Sequence, residues 1–217
     1  MKVVLITGLT KLFDKKLAAA FARDGYKVYA MGEGQIDGVE LLPTDLKQAV
    51  DTVQKGSGHI DLYIDVSDVR SPLDDFTVRS GLNDKVIRQQ YEANLLRPMA
   101  LLEAFLPLLE AGEGKRLCYL TAAEASINET RGIDGYGYKM TKAALANFLQ
   151  ITRNVLAPKG YTFRVYDPMY KEVSADLAAE AALNYFIRRR GIENDDTMRD
   201  DEGNVVFRDA YGRHHPW

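Results

Sequence analysis

The chain has 217 residues, 46% hydrophobic and 27% charged, the balance of a soluble globular protein long enough to bury one full core. Its 28 Lys and Arg against 31 Asp and Glu give a net charge of -3, which offers no support for binding to nucleic acid or a membrane surface. A single cysteine, Cys118, excludes an internal disulfide, and the apolar run Val3 to Ile6 is too short for a signal peptide or a membrane span. A cytoplasmic protein of one domain over 1–217 is therefore expected, with 191–217 as a C-terminal loop, short strand and tail.

In chain order, Val3 to Ile6 reads as a buried strand ended by Thr7-Gly8. A helix follows from Asp14, its expected N-cap, to Arg23, and Asp24-Gly25 stops it. Lys27 to Met31 and Leu41 to Asp45 read as the second and third strands, then Leu46 to Lys55 as a helix and Leu62 to Val66 as the fourth strand. Arg70 to Asp84 has no clean period and reads as a loop. Val86 to Leu109 is one long helical pattern in which Pro98 is expected to produce a kink. Leu117 to Thr121 is the fifth strand, Tyr138 to Leu156 a helix and Phe163 to Tyr166 the sixth strand. Ser174 to Arg190 reads as a helix, with Arg188-Arg189-Arg190 suited to its negative pole. Glu193-Asn194-Asp195-Asp196 reads as an exposed loop and Asn204 to Arg208 as a last strand. The tail containing His214, His215 and Trp217 is expected to cover a sheet edge or a partner subunit, since adjacent histidines do not put two ligands on one face for a metal. Strands alternating with helices imply an α/β fold, a doubly wound parallel sheet of Rossmann type with helices on both faces. Ligands in such sheets bind beyond the carboxyl ends of the strands, where Thr7, Asp65, Thr121 and Pro168 fall.

Tyr138 and Lys142 lie one turn apart on one face of their helix. A phenol is a poor base at neutral pH, and a neighbouring ammonium favours the phenolate. Tyr138-x-x-x-Lys142 followed by Ala143-Ala144-Leu145, set in this order of elements, resembles the active-site helix of the short-chain dehydrogenases/reductases over roughly residues 1 to 170. The resemblance implies an oxidoreductase that reduces a carbonyl or oxidises an alcohol of a small-molecule substrate with NADP or NAD. It implies that Tyr138 is the proton donor or acceptor, that Lys142 lowers its pKa and holds the nicotinamide ribose, and that Asn94 anchors a water in a proton relay. Thr7, Gly8, Lys11, Leu12, Asp45 and Pro168 would line the cofactor site, Asp45 either at adenine or as a helix N-cap.

The chain departs from the family's pattern at several positions. Leu12 and Asp14 replace the second and third glycines of the first turn, putting bulk and a negative charge where the diphosphate would lie. Lys11 and Gly32 point toward NADP, and Glu33 against it. Asp65-Val66-Ser67-Asp68 replaces Asn-Asn-Ala-Gly, and Pro168-Met169 replaces Pro-Gly. The position of the family serine is read as Ala122, leaving Thr121 or Ser126 to supply the hydroxyl. Two further readings stay open: a binding or assembly protein that no longer takes a dinucleotide, and a cofactor-free acid/base or hydrolytic enzyme built on Tyr138 and Lys142. The family's habit of pairing through two long helices implies a homodimer or homotetramer, with Leu101, Leu102, Phe105 and Phe148 available for it or for the core.

Overall fold

The computed structural model describes residues 1–187, 205 and 207–216. Eight strands form one sheet in the order β3-β2-β1-β4-β5-β6-β7-β8. They are β1 (Val3–Leu9), β2 (Lys27–Gly32), β3 (Val39–Leu41), β4 (Leu62–Asp65), β5 (Arg116–Leu120), β6 (Thr162–Asp167), β7 (Phe207–Asp209) and β8 (His214–His215). All neighbours pair in parallel except β7 and β8, which are antiparallel. The chain runs outward from β1 through β2 to β3 and then returns to the other side of β1 as β4. That reversal opens a crevice beyond the ends of β1 and β4.

Six helices flank the sheet: α1 (Leu12–Arg23), α2 (Leu46–Gly56), α3 (Asp84–Tyr91), α4 (Arg97–Ala111), α5 (Tyr136–Leu156) and α6 (Ala175–Ile187). Successive residues of β1 alternate between two cores. Val3 and Leu5 join residues of α2, α4 and α5 on one face, while Val4 and Ile6 join α1 and α6 on the other. This double burial is why the strand is an unbroken apolar run. Among the described residues, no helix is long and apolar enough to cross a membrane.

Most sequence-based elements are recovered with shifted ends, but the third strand is Val39–Leu41 where the sequence pattern places Leu41 to Asp45, and Asp45 instead caps α2. Asp14 is not the N-cap of α1. Lys11 is, and Asp14 sits in the first turn with its carboxylate reaching back to the Thr10 and Lys11 N–H groups. The long pattern from Val86 contains a π-helical turn at Glu92–Leu96, ending two residues before Pro98, and the backbone stays helical through it, with Tyr91, Leu96 and Arg97 all in the right-handed region. The short antiparallel β8, formed by His214 and His215, seals the sheet edge beside β7. Leu101, Leu102 and Phe105 are buried within the chain and Phe148 packs partly buried against them, so these residues serve its own core. Arg188 to Arg190, Glu193 to Asp196 and Trp217 lie outside the described residues.

Candidate active site

Five loops converge beyond the carboxyl ends of the strands. They enclose a cavity of about 460 Å³ lined in part by Lys11, Asp68, Arg70, Thr121, Tyr138 and Tyr170, a size suited to a small molecule. Tyr138 reaches it from the first turn of α5. Asp74, from the long loop after β4, fixes that turn: its carboxylate accepts from the N–H groups of Gly137 (3.1 Å) and Tyr138 (2.8 Å). Gln90 of α3 donates to the same carboxylate at 2.8 Å. Gly137 leaves room for this contact, because a Cβ would stand 2.3 Å from the Gln90 amide nitrogen and displace it. The helix is thus capped by a residue more than sixty positions upstream.

Asp68 is the centre of the site. The Tyr138 hydroxyl donates to its Oδ1 at 2.6 Å, and the Lys142 Nζ lies 3.1 Å from the same oxygen. The Lys11 ammonium pairs with the other oxygen, Oδ2, and sits 4.1 Å above the centre of the Tyr170 ring. Lys142 is fully buried and also donates to the Ser67 carbonyl at 3.0 Å. Burial alone would raise the Asp68 carboxyl. The ammonium groups of Lys142 and Lys11 and the hydrogen bonds from Lys11 and Tyr138 outweigh it and hold the group at about 2.

The same arrangement reverses the expectation for Tyr138. Burial raises its phenol well above the ordinary value, and the Asp68 charge and hydrogen bond raise it further. The ammonium of Lys142 is 5.7 Å from the ring centre and its charge is spent on Asp68. Tyr138 is held as a neutral donor.

Asn94 projects from the π-helical turn and is fully buried. Its Oδ1 accepts from the Val69 N–H, and its Nδ2 donates to the Val69 carbonyl, both at 2.7 Å. It therefore braces the backbone next to Asp68. Thr121 lies one residue past β5, is 2% exposed, and lines the cavity. Its hydroxyl has no hydrogen-bond partner among the described residues. Ser126, the other candidate hydroxyl, is buried away from the cavity lining and accepts from the Glu129 N–H at 3.1 Å. Of the two, only Thr121 is brought to the site. Ala122 lines the cavity beside it.

The residues expected at the cofactor's phosphate and adenine ends behave differently. The Thr7 hydroxyl is buried and donates to Asp65 at 2.7 Å. Gly8 has φ +85°, and a Cβ on it would come within 2.4 Å of the Ser67 Oγ, so it serves the close approach of the β1 and β4 loops. Leu12 is 63% exposed and outside the cavity lining. Asp14 is fully buried, and its Oδ2 accepts from Thr10 N at 2.8 Å and Lys11 N at 2.6 Å. Burial raises the Asp14 carboxyl to about 6 against those hydrogen bonds and the nearby Lys11. Asp45 caps α2 by accepting from Gln48 N at 2.9 Å, and it is outside the cavity lining. Pro168 is buried directly after β6, and the following Met169 takes a left-handed φ of +51°, the conformation a glycine would adopt without strain. Lys11, the basis of the expectation of NADP, is engaged by Asp68 and Tyr170.

Sequence reasoning noted Asp68 only as a departure from a motif. Its role depends on three donors from two distant segments, and no local pattern signals that. It also missed the tail's contribution to the cavity wall. His215 stacks on Phe207 with ring centres 5.0 Å apart, and its Nε2 lies 3.0 Å from Asp209.

No protein-family model matches the chain. A curated short-chain dehydrogenase, ptmH of Penicillium ochrochloron, is 29% identical over 175 residues, a match covering 73% of this chain and 62% of the length of that relative. Among solved structures, the carbonyl reductase Sniffer of D. melanogaster superposes with a TM-score of 0.82 at 13% identity over the whole of both chains. A carbonyl reductase from Pseudomonas aeruginosa PAO1 in complex with NADP superposes with a TM-score of 0.76 at 18% identity, again over both whole chains. At these identities the two structures speak for the fold.

Proposed function

We propose that this chain, a short-chain dehydrogenase/reductase by sequence match and fold, is an oxidoreductase that reduces the carbonyl group of a small molecule held in the cavity beside Tyr138. One observation carries the reading: Thr121, whose buried hydroxyl has no partner among the described residues, lines the same cavity as Tyr138 with its neutral phenol. A buried hydroxyl left unsatisfied is costly, and a substrate oxygen would relieve it. In this reading Thr121 orients the carbonyl oxygen and Tyr138 donates a proton to it as negative charge develops. The raised pKa keeps the phenol protonated and opposes a base role at neutral pH; the phenol becomes a competent acid toward substrate once the Asp68 carboxylate no longer holds its proton. Lys142, one turn behind, would offset the charge left on the phenolate once Asp68 has turned away from it.

The donor set fits a nicotinamide dinucleotide, NADP or NAD. Two carboxylates of the chain stand in for its oxygen-rich groups: Asp68 on the Lys142, Tyr138 and Lys11 donors, and Asp14 on the N–H groups of the turn entering α1. Lys142 and Lys11 would hold the ribose and diphosphate. The reduced dinucleotide supplies the hydride when bound. The complex of the Pseudomonas carbonyl reductase with NADP supports this choice.

The test is NADPH and NADH oxidation against a panel of aldehydes and ketones. Tyr138→Phe is expected to lower turnover by about 10²- to 10⁴-fold. Unchanged turnover in that variant would sink the mechanism. The same two carboxylates favour a second reading, a binding or assembly protein without dinucleotide chemistry. That reading expects no NADPH or NADH binding up to millimolar concentration. Cofactor-free catalysis by Tyr138 and Lys142 loses support, because Asp68 holds the phenol protonated and neutralises the ammonium.

A further inference from the structure

We propose that Asp68 and Asp14 are internal occupants of the dinucleotide-binding groups, so that this protein takes its cofactor only by turning carboxylates of its own out of the site. The inference rests on the oxidoreductase reading above and adds what controls entry to that site.

The geometry carries it in three steps. First, the donors that would grip a cofactor are already engaged by an anion. Lys142 and Tyr138 both meet the Asp68 Oδ1, at 3.1 and 2.6 Å, and Lys11 meets Oδ2. An incoming ribose or phosphate oxygen would have to replace an anion on these groups. It would also face that anion's repulsion if the carboxylate stayed nearby. Second, the turn between β1 and α1, where a diphosphate would find backbone N–H groups, has two of them filled by the Asp14 Oδ2 at 2.8 and 2.6 Å. Third, Lys11 joins the two occupied positions. Its N–H binds Asp14 and its ammonium binds Asp68, so displacing one carboxylate disturbs the grip on the other.

Displacement of Asp68 is a side-chain event. The backbone on both sides of it is pinned: the Ser67 N–H donates to Asp65 at 3.0 Å, and Asn94 holds both the N–H and the carbonyl of Val69. Asp68 also lines the cavity of about 460 Å³, which gives the carboxylate room to rotate. Asp68 therefore makes a well-satisfied cofactor-free state, whereas one oxygen of the buried Asp14 carboxylate has no hydrogen-bond partner among the described residues. Lys142, fully buried, would otherwise lack an anion, and an uncompensated buried charge is strongly destabilising.

The test is a calorimetric titration of NADPH into the wild type, Asp68→Asn and Asp68→Ser, with thermal melting of each protein alone. Both variants keep a short polar side chain and remove the charge. The expected result is a Kd lower by about tenfold or more in the variants, together with a lower Tm without nucleotide. Equal and measurable affinity in all three proteins overturns the inference and leaves the oxidoreductase reading standing. Absence of binding to all three at millimolar nucleotide overturns both. A crystal structure of the wild type soaked in NADPH gives an independent reading that needs no variant. Asp68 rotated off Lys142 supports the inference, and a bound dinucleotide with Asp68 still on Lys142 overturns it.

Discussion

Replacing Asp14 with Asn should change how the stability of this protein depends on pH. Asp14 is fully buried, and its carboxyl is raised from the ordinary 3.8 to about 6, chiefly by burial. Between those values the folded state keeps a proton that the unfolded state releases. The folded state therefore binds more protons, and stability falls as pH rises from about 4 to about 6. The gap between 3.8 and 6 corresponds to roughly 3 kcal/mol when fully expressed, and roughly 2 to 3 kcal/mol of it falls between pH 4 and 7.5. Asn keeps an acceptor oxygen for the Thr10 and Lys11 N–H groups and removes the charge. The stability of Asp14→Asn relative to wild type should thus rise by roughly 2 to 3 kcal/mol over that interval. Urea unfolding followed by circular dichroism at pH 4 and 7.5, on both proteins, measures it. Differencing the two proteins cancels the other carboxylates, including Asp68, whose depressed value acts in the opposite sense at lower pH. A difference that stays flat across the interval, within about 0.5 kcal/mol, would refute the claim that Asp14 is buried at a desolvated cost.

Two further substitutions separate structure from chemistry. Asp74→Ala should lower stability by about 3 kcal/mol in urea unfolding, because the first turn of α5 loses both carboxylate bonds and Gln90 loses its acceptor; a loss under about 1 kcal/mol would contradict that assignment. Thr121→Val removes a hydroxyl that bonds nothing in the described chain. Its Tm should hold or rise, while kcat/KM for the carbonyl substrate falls by about tenfold. Equal kcat/KM would mean the hydroxyl does not meet substrate.

The sequence by itself determined the fold. Apolar runs such as Val3 to Ile6 and Leu62 to Ile64 fall at strand spacing between helical patterns, and burial on both sheet faces demands that composition. Local spacing also put Tyr138 and Lys142 on one helical face. Both properties follow from neighbours in the chain. The tertiary structure alone decided which charges meet. Asp68 finds Lys11, Tyr138 and Lys142 across separations of 57, 70 and 74 residues, and Asp74 caps α5 from 63 and 64 residues away. The π-helical turn that carries Asn94, bonded to Val69 from 25 residues away, likewise left no mark in the helical pattern. Nor could pattern settle the state of the phenol. Spacing suggested that Lys142 would draw Tyr138 toward phenolate, but the folded site places a carboxylate between them and moves the balance the other way. Helix and strand periods are short-range consequences of backbone geometry, whereas a titration state is a sum of burial and charge over everything the fold brings within a few ångströms.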